Sequence, residues 1–321
     1  MGWRLVPRSI ADGVTLSVYD RRHRGLLELR GADRQTFLQG MVSNDVSALR
    51  PGQGCHAALL DSTGHILADL RIHAFPDFFL LETDPSCLPT LTATLDKLLI
   101  MEDVQLANVT DQWATLTVLG KEIPDFSDLP GEVRPTSYSL GLGLDLWLSP
   151  NNRASALENF ISAGAILLGD EGWETLRVEA GLPAWGRELT PAVLLPEAGM
   201  DDAISYSKGC YVGQEIVARL HARGHANRGL RHLVLDADAP VPPPGATLHV
   251  PEDGLEPGRE IGRVTSAVAS PKRGGRVLAL GYVRKEYWAD GTLVTIQILQ
   301  PGGLVFSYGA VVQEIPPLLT N

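Results

Sequence analysis

Short apolar runs broken by polar residues recur along the chain, and they predict many strands and few helices. Runs rich in leucine, isoleucine, valine and phenylalanine predict strands at 25–29, 57–60, 66–72, 78–83, 113–119 and 142–148. Apolar residues three or four apart predict a helix that opens at Pro85 and runs through Leu99, and further helices at 154–162 and 172–180. Asp33 is expected to cap a short helix through Phe37 and Leu38. Because strands and helices do not alternate strictly as βαβ, the pattern favours an α+β fold.

A proline run marks the clearest boundary. Residues 240–245 read PVPPPG, and three consecutive prolines prevent a helix or a central strand from passing through. Beyond it, glycine-rich turns separate strands predicted at 261–268, 277–283, 293–298 and 304–312. This spacing predicts a small C-terminal β-barrel at 231–321, preceded by a larger region, 1–230, with two subdomains.

Composition narrows the class of protein. The 321 residues carry a net charge of −11, which argues against a surface that binds nucleic acid or anionic lipid throughout. No apolar run approaches a membrane span, and the first residues lack the apolar stretch of a secretory signal. Three scattered cysteines are too few for a disulfide framework. We therefore expect a soluble cytoplasmic protein.

The most informative segment is residues 208–215, KGCYVGQE, followed by apolar residues at helical spacing. Its glycines predict a tight turn, which places Cys210 just before a helix N-terminus. There the helix dipole and Lys208 would favour the thiolate, a form that can attack, be oxidised or bind a metal. The alternative is that Cys210 is a small buried apolar residue, as most single cysteines are.

These eight residues resemble the signature of the YgfZ-type folate-binding proteins, a branch of the glycine-cleavage T-protein (aminomethyltransferase) superfamily. The resemblance extends to FLQG at 37–40, SNDV at 43–46, DSTGHILAD at 61–69, LRVEAGL at 176–182, and the barrel segments 260–266 and 278–283. It implies a T-protein-like folate-binding domain followed by the barrel, with tetrahydrofolate or a one-carbon derivative as cofactor. The folate would lie in a central cleft between the N-terminal subdomains, with the 208–215 segment on its rim.

The resemblance also implies roles for individual residues. Asp69 would lie near the one-carbon nitrogens of the folate, and Asp145 and Glu179 fall on family-like positions for acidic residues. A carboxylate can accept both N–H donors of the pterin edge. Tyr211 is assigned to the folate site, and Asp69 joins the group expected to be catalytic. The alternatives are a turn residue at a strand end for Asp69 and an ion pair on its own helix for Glu179.

Three departures from the T-protein pattern favour folate binding for another purpose than aminomethyl transfer. Ala68 stands where T-proteins commonly have the first of two adjacent aspartates. Trp173 falls near the position of their pterin-site arginine, and Cys210 stands where their motif generally has no thiol. Cys210, with Lys208 beside it, is therefore the expected functional thiol.

Residues 216–235 form a basic island without acidic residues, which contains Arg219, Arg223, Arg228 and Arg231. It predicts an anionic ligand: the glutamate tail of a folate held by Arg223 and Arg228, or an RNA or protein partner. A solvated face that balances acidic neighbours is the alternative. His221 and His225 are four residues apart, but Gly224 between them and the lack of a third ligand argue against a metal site.

Three hypotheses about function follow. The first is a tetrahydrofolate-dependent accessory protein for iron–sulfur cluster assembly or repair, which supports cluster-dependent enzymes such as tRNA-modifying ones. Its partners would be iron–sulfur proteins or assembly factors. The second is a folate-dependent aminomethyl or one-carbon transferase. The third is a binding module that docks RNA or a protein through the basic island.

Overall fold

The computed structural model describes residues 16–120, 123, 134–136, 143–222, 226–251, 258–299 and 303–316. Contacts divide the chain into two compact units. The described residues up to Asp170, together with Asp202–Gln214, form the first, here called the sheet unit. Glu171–Asp201 and the described residues from Glu215 onwards form the second, the barrel unit.

The sheet unit contains two five-stranded sheets. In spatial order, the strands of one are β10 (Ile166–Leu168), β1 (Ser17–Asp20), β7 (Ala114–Leu119), β9 (Gly143–Leu148) and β8 (Arg134–Thr136). Those of the other are β3 (Gly54–Leu60), β4 (Ile66–Ala74), β5 (Phe78–Thr83), β2 (Gly25–Arg30) and β6 (Gln105–Asn108). The helices of this unit are α1 (Arg34–Met41), α2 (Leu88–Leu98) and α3 (Arg153–Ser162).

Apolar side chains from both sheets pack together inside the sheet unit. Trp147 of β9 is fully buried in a cluster with Phe78 and Leu80 of the other sheet and with Phe75, which lies between β4 and β5. The edge of the His73 ring contacts this tryptophan, with 4.7 Å between the ring centroids. A polar layer therefore lies beside the apolar core, and it contains the charged groups described below.

The barrel unit is built on a closed six-stranded barrel. Its order is β11 (Arg228–Leu235), β14 (Val277–Arg284), β13 (Glu260–Ala269), β12 (Thr247–His249), β15 (Leu293–Leu299) and β16 (Val305–Gln313), and β16 pairs with β11 to close it. Leu233, Leu248, Ile261 and Ile296 are among the fully buried residues of its core. Closure leaves no open sheet edge. Helices α4 (Asp170–Ala180) and α5 (Gln214–Ala222) belong to this unit except for their first residues.

The predicted α+β fold with a C-terminal barrel is confirmed, whereas two local predictions are wrong. Helix α2 begins at Leu88, because Asp84 first accepts hydrogen bonds from the backbone and hydroxyl of Ser86 and forms a separate turn. Asp33 lies at the N-cap position of α1 but makes no side-chain cap; it accepts the backbone N–H of Asp103 instead.

The sequence patterns missed six of the described strands, which are β1, β6, β8, β10, β11 and β12. Strand β11 begins at Arg228 inside the basic island, and its arginines hid its strand character. The predicted domain boundary at residue 230 stays a prediction. In the part of the chain that the structure describes, no helix is both long and apolar enough to cross a membrane.

Candidate functional site

Side-chain hydrogen bonds hold segment 202–208 against the residues that follow α1. Ser43 Oγ donates to Ala203 O (2.6 Å) and accepts the backbone N–H of Ala58 (2.8 Å). Asn44 Nδ2 donates to the carbonyls of His56 (2.7 Å) and Asp202 (2.8 Å). Two residues of the SNDV motif therefore fix Asp202 beside β3.

Lys208 also joins segment 202–208 to the residues at the end of α1 and just after it. Its Nζ donates to three backbone carbonyls, those of Gln39 (2.6 Å), Val42 (2.7 Å) and Asn44 (2.7 Å). These carbonyls lie at and just beyond the C-terminus of α1, where a helix favours a positive charge. Burial lowers the pKa of Lys208 to about 8, although the charge of Asp45 opposes this shift.

Cys210 lies on the 208–213 loop between two fixed ends. At the far end Gly213 has φ +83°, and a Cβ there would lie 2.5 Å from Asp61 O. Lys208 fixes the near end, Tyr211 is buried, and the Cys210 side chain is exposed. The Lys208 ammonium is thus used to anchor the loop. Its predicted action on the thiol, and the folate contact of Tyr211, stay predictions.

Asp69 is part of a buried carboxylate–imidazole triad. His56 Nε2 lies 2.5 Å from Asp69 Oδ1, and His56 Nδ1 lies 3.1 Å from Asp202 Oδ2. Burial lowers the pKa of His56, but the two carboxylates outweigh it and raise that pKa to about 10. Burial likewise raises the pKa of each carboxyl, and the positive charge of His56 outweighs it, so both end below their usual range. At neutral pH both ring nitrogens therefore carry a hydrogen and donate to ionised carboxylates.

A second cluster surrounds Glu82, which is completely buried on β5. Its carboxylate binds Arg21, takes the Nε–H of Arg24 at 2.7 Å, and lies 3.6 Å from Arg71 Nη1. Burial and the neighbouring guanidinium groups of Arg21 and Arg71 lower the pKa of His73 well below 6.5, so its ring is neutral. Three guanidinium groups thus share one carboxylate.

Arg71 connects the Glu82 cluster to the triad. It lies two residues after Asp69 on β4, so both side chains leave the same face of the sheet. The Nε of Arg71 is buried and has no hydrogen-bond partner among the described residues. Among the described residues, His56 contacts Oδ1 of Asp69, and no hydrogen bond is made to Oδ2. An unused donor and an unused acceptor therefore leave one strand side by side.

Asp145 is fully buried in the other sheet of the sheet unit. It lies opposite Thr117 on β7, whose hydroxyl donates to Asp145 Oδ1 at 2.7 Å. Arg21 Nη1 lies 3.2 Å from Asp145 Oδ2. Both of its oxygens are thus close to protein groups, and its predicted contact with the pterin stays a prediction.

The remaining predicted site residues belong to the barrel unit or lie outside the description. Glu179 accepts the Ser270 hydroxyl at 2.6 Å, and Lys272 Nζ lies 3.6 Å away, so its ion pair is made with a barrel loop and not along its own helix. Arg228 pairs with Glu197 at 2.9 Å. Arg223 lies outside the described residues. Cofactor roles for all three stay predictions.

Sequence reasoning missed His56 and Asp202, the two partners of Asp69. His56 is a single histidine in the apolar strand GCHAALL, which was a signal that could have been followed. Asp202 gave no signal, because it stands 146 positions from His56.

Comparison with known proteins agrees with this architecture. The family model of the GCVT N-terminal domain matches residues 13–125, and that of the glycine cleavage T-protein C-terminal barrel domain matches residues 228–306. The two matches place the chain in the glycine-cleavage T-protein superfamily.

Individual relatives are distant. A putative chloroplast transferase of Arabidopsis thaliana is 28% identical over 87% of this chain and 68% of its own length. The aminomethyltransferase of Bacillus subtilis is 28% identical over 88% of this chain and 83% of its own length. The crystal structure of the glycine cleavage system aminomethyltransferase T from Bartonella henselae superposes with a TM-score of 0.79 at 22% identity, over 94% of this chain and 86% of that one. The similarity to this crystal structure is a similarity of fold.

The triad predicts a pH dependence of stability. Because folding raises the pKa of His56 from 6.5 to about 10, its stabilising contribution is complete below pH 6.5 and is lost as the pH rises towards 10. The difference in unfolding free energy between the wild type and His56→Gln should therefore shrink over this range, as measured by urea unfolding at each pH. Because folding lowers the pKa of Lys208 to about 8, its contribution to stability instead increases as the pH rises above that value. This contribution is the same in both proteins, so the difference between their unfolding free energies reports on His56.

The matched control is His65→Gln, at an exposed turn beside Thr63. Its unfolding curves should follow those of the wild type at every pH. Parallel wild-type and His56→Gln profiles would show that the triad does not hold a charged imidazole.

Proposed function

We propose that this protein binds tetrahydrofolate or a one-carbon derivative, and that it acts as a YgfZ-type accessory protein for iron–sulfur cluster assembly or repair. The observation that carries the folate proposal is the pair of unused groups on β4, Asp69 Oδ2 and Arg71 Nε. Membership of the T-protein superfamily supports it, because both domains of this chain match T-protein family models and the chain is similar to proteins named aminomethyltransferases.

The chemistry of these groups fits a reduced folate. The pterin ring presents N–H donors beside a carbonyl acceptor on one edge. An ionised carboxylate accepts from the donors, and a guanidinium N–H donates to the acceptor. The triad keeps Asp69 ionised, and the Glu82 cluster keeps Arg71 in place, so both groups are oriented before a ligand arrives.

The state of Asp69 favours binding over proton transfer. A general acid or base works best when its pKa lies near the working pH. The charge of His56 outweighs burial and holds the pKa of Asp69 below its usual range, so this carboxyl stays ionised and is a weak base at neutral pH. This favours the accessory role over aminomethyl transfer, which remains the second candidate because of the relatives' names.

Cys210 is the group through which the protein would act on a partner. Its side chain is exposed on a loop that Lys208 and Gly213 fix at both ends. A single thiol cannot hold an iron–sulfur cluster, so a partner protein would supply the other ligands. Cluster-dependent tRNA-modifying enzymes are the clients proposed here.

Two variants test the two halves of the proposal. Calorimetric titration with tetrahydrofolate and 5-formyltetrahydrofolate should show binding that Asp69→Asn weakens by about 10- to 100-fold, the cost of one charged hydrogen bond. Cys210→Ala should bind folate as the wild type does, yet fail to restore a cluster-dependent tRNA modification in cells that lack the protein.

Matched controls separate these effects from damage to the fold. Asp77→Asn, in the exposed turn between β4 and β5, should keep folate affinity, and Cys55→Ala should keep rescue. Unchanged folate affinity in the Asp69→Asn variant would show that the folate does not bind at β4. Full rescue by the Cys210→Ala variant would show that the protein does not act through this thiol. Formation of methylenetetrahydrofolate from an aminomethyl-lipoyl carrier would decide for the transferase instead.

A further inference from the structure

The barrel unit contains a groove of about 960 Å³ whose lining includes four arginines and two glutamates, Glu188 and Glu260. The arginines come from separate segments: Arg187 from the segment after α4, Arg228 from β11, Arg263 from β13 and Arg284 from β14. All lining residues belong to this one unit. None of the triad or the Glu82 cluster is among them.

Strand register places three of these arginines on one face of the barrel. Arg228 of β11 lies directly opposite Arg284 of β14, and Arg263 of β13 lies opposite Tyr282 of the same strand. The next residue, Val283, packs in the barrel core, so its neighbours Tyr282 and Arg284 face outward. The guanidinium of Arg228 stacks over the Tyr282 ring, 5.0 Å from its centroid. Strands β11, β14 and β13 thus place three arginines in a row beside the ring of Tyr282.

Three of the arginines have acidic partners and one does not. Arg187 lies 3.6 Å from Glu174, Arg228 2.9 Å from Glu197, and Arg263 2.9 Å from Glu260. Arg284 has no ion pair among the described residues. Like charges directly opposite on neighbouring strands are destabilising, and Arg284 faces Arg228 across the ladder. Arg284 therefore carries the guanidinium group of this pair that has no carboxylate partner among the described residues.

We propose that this groove binds a small molecule that carries two or more phosphate or carboxylate groups. Its volume lies within the range of small-molecule sites, about 300–1,000 Å³. Guanidinium forks bind both kinds of anion through paired hydrogen bonds. An anion between Arg228 and Arg284 would offset their repulsion. The groove shares no residue with the triad or the Glu82 cluster, although Arg228 is also the residue predicted to hold the glutamate tail of a folate.

Titration calorimetry of the full chain at low ionic strength tests the proposal with two probes, inorganic tripolyphosphate and tricarballylate. At least one should bind with one-to-one stoichiometry, and the stronger probe identifies phosphate or carboxylate as the preferred group. Arg284→Gln should weaken that binding at least tenfold, while its melting temperature equals or exceeds that of the wild type, because a repulsive pair is lost.

The control is Arg259→Gln, which removes an exposed arginine of the same unit outside the groove. It should keep the wild-type affinity, as should Asp69→Asn. The proposal is overturned if neither probe binds, if Arg284→Gln binds as tightly as the wild type, or if Arg259→Gln weakens binding equally.

Discussion

Replacement of Glu82 by glutamine is expected to destabilise the sheet unit more than any other single change considered for this protein. Glu82 has no exposed surface, and its carboxylate is shared by Arg21, Arg24 and Arg71. Glutamine keeps the shape but removes the negative charge, which leaves three guanidinium groups, one buried and two partly buried, without their shared carboxylate. Breaking a single buried ion pair in this way costs about 3–5 kcal/mol. The loss here should reach at least that size, which is a large part of the stability of an average domain.

Urea unfolding followed by circular dichroism measures this loss, and the yield of soluble protein reports it if the variant does not fold. The matched control is Glu28→Gln on β2, which breaks an ion pair with the largely exposed Arg30 and should cost less than about 1 kcal/mol. Equal stability of the Glu82→Gln variant and the wild type would mean that the guanidinium groups are not held as described.

Lys208→Met is expected to have the second largest effect, on both stability and the 208–213 loop. Methionine fills the space of the lysine stem, but it leaves the carbonyls of Gln39, Val42 and Asn44 without their donor. Charged hydrogen bonds contribute about 1.5–3 kcal/mol each, and water can replace part of them, so we expect a loss of about 3 kcal/mol. Limited proteolysis should then cut the chain near Cys210 faster than in the wild type.

Lys97→Met is the control for this substitution, because Lys97 is exposed in the last turn of α2. It should change neither the unfolding free energy nor the rate of cleavage. If Lys208→Met is as stable and as resistant to protease as the wild type, Lys208 does not anchor the loop. The sequence-based prediction that Lys208 favours the thiolate of Cys210 would then be the better explanation for this lysine.

Sequence patterns predicted the elements whose burial is uniform. Strand β5 and the barrel strand β14 are nearly continuous apolar runs, a pattern that predicts burial on both faces of the strand. Strand β11 carries Arg228 and Arg231 at the two partly buried positions of an otherwise buried strand, so these charges concealed it. Helix α2 starts late because the Asp84 turn competes with it locally.

The candidate site was predictable only where a short motif carried it. The resemblance found Asp69 and the 208–215 segment, yet the contacts that orient them are made at long range. The triad joins His56 to Asp202 across 146 positions, and the partners of Lys208 are backbone carbonyls, which have no sequence signature. The motif thus located the loop, and the structure shows that its lysine anchors the loop to backbone carbonyls.

The path of the chain through the two units bears on how such a protein can be inherited. The chain passes between the units at residues 170–171, 201–202 and 214–215, so neither unit is one continuous stretch of the gene. A recombination event with a single breakpoint therefore cannot transfer the barrel unit with α4 and α5 and leave the sheet unit whole.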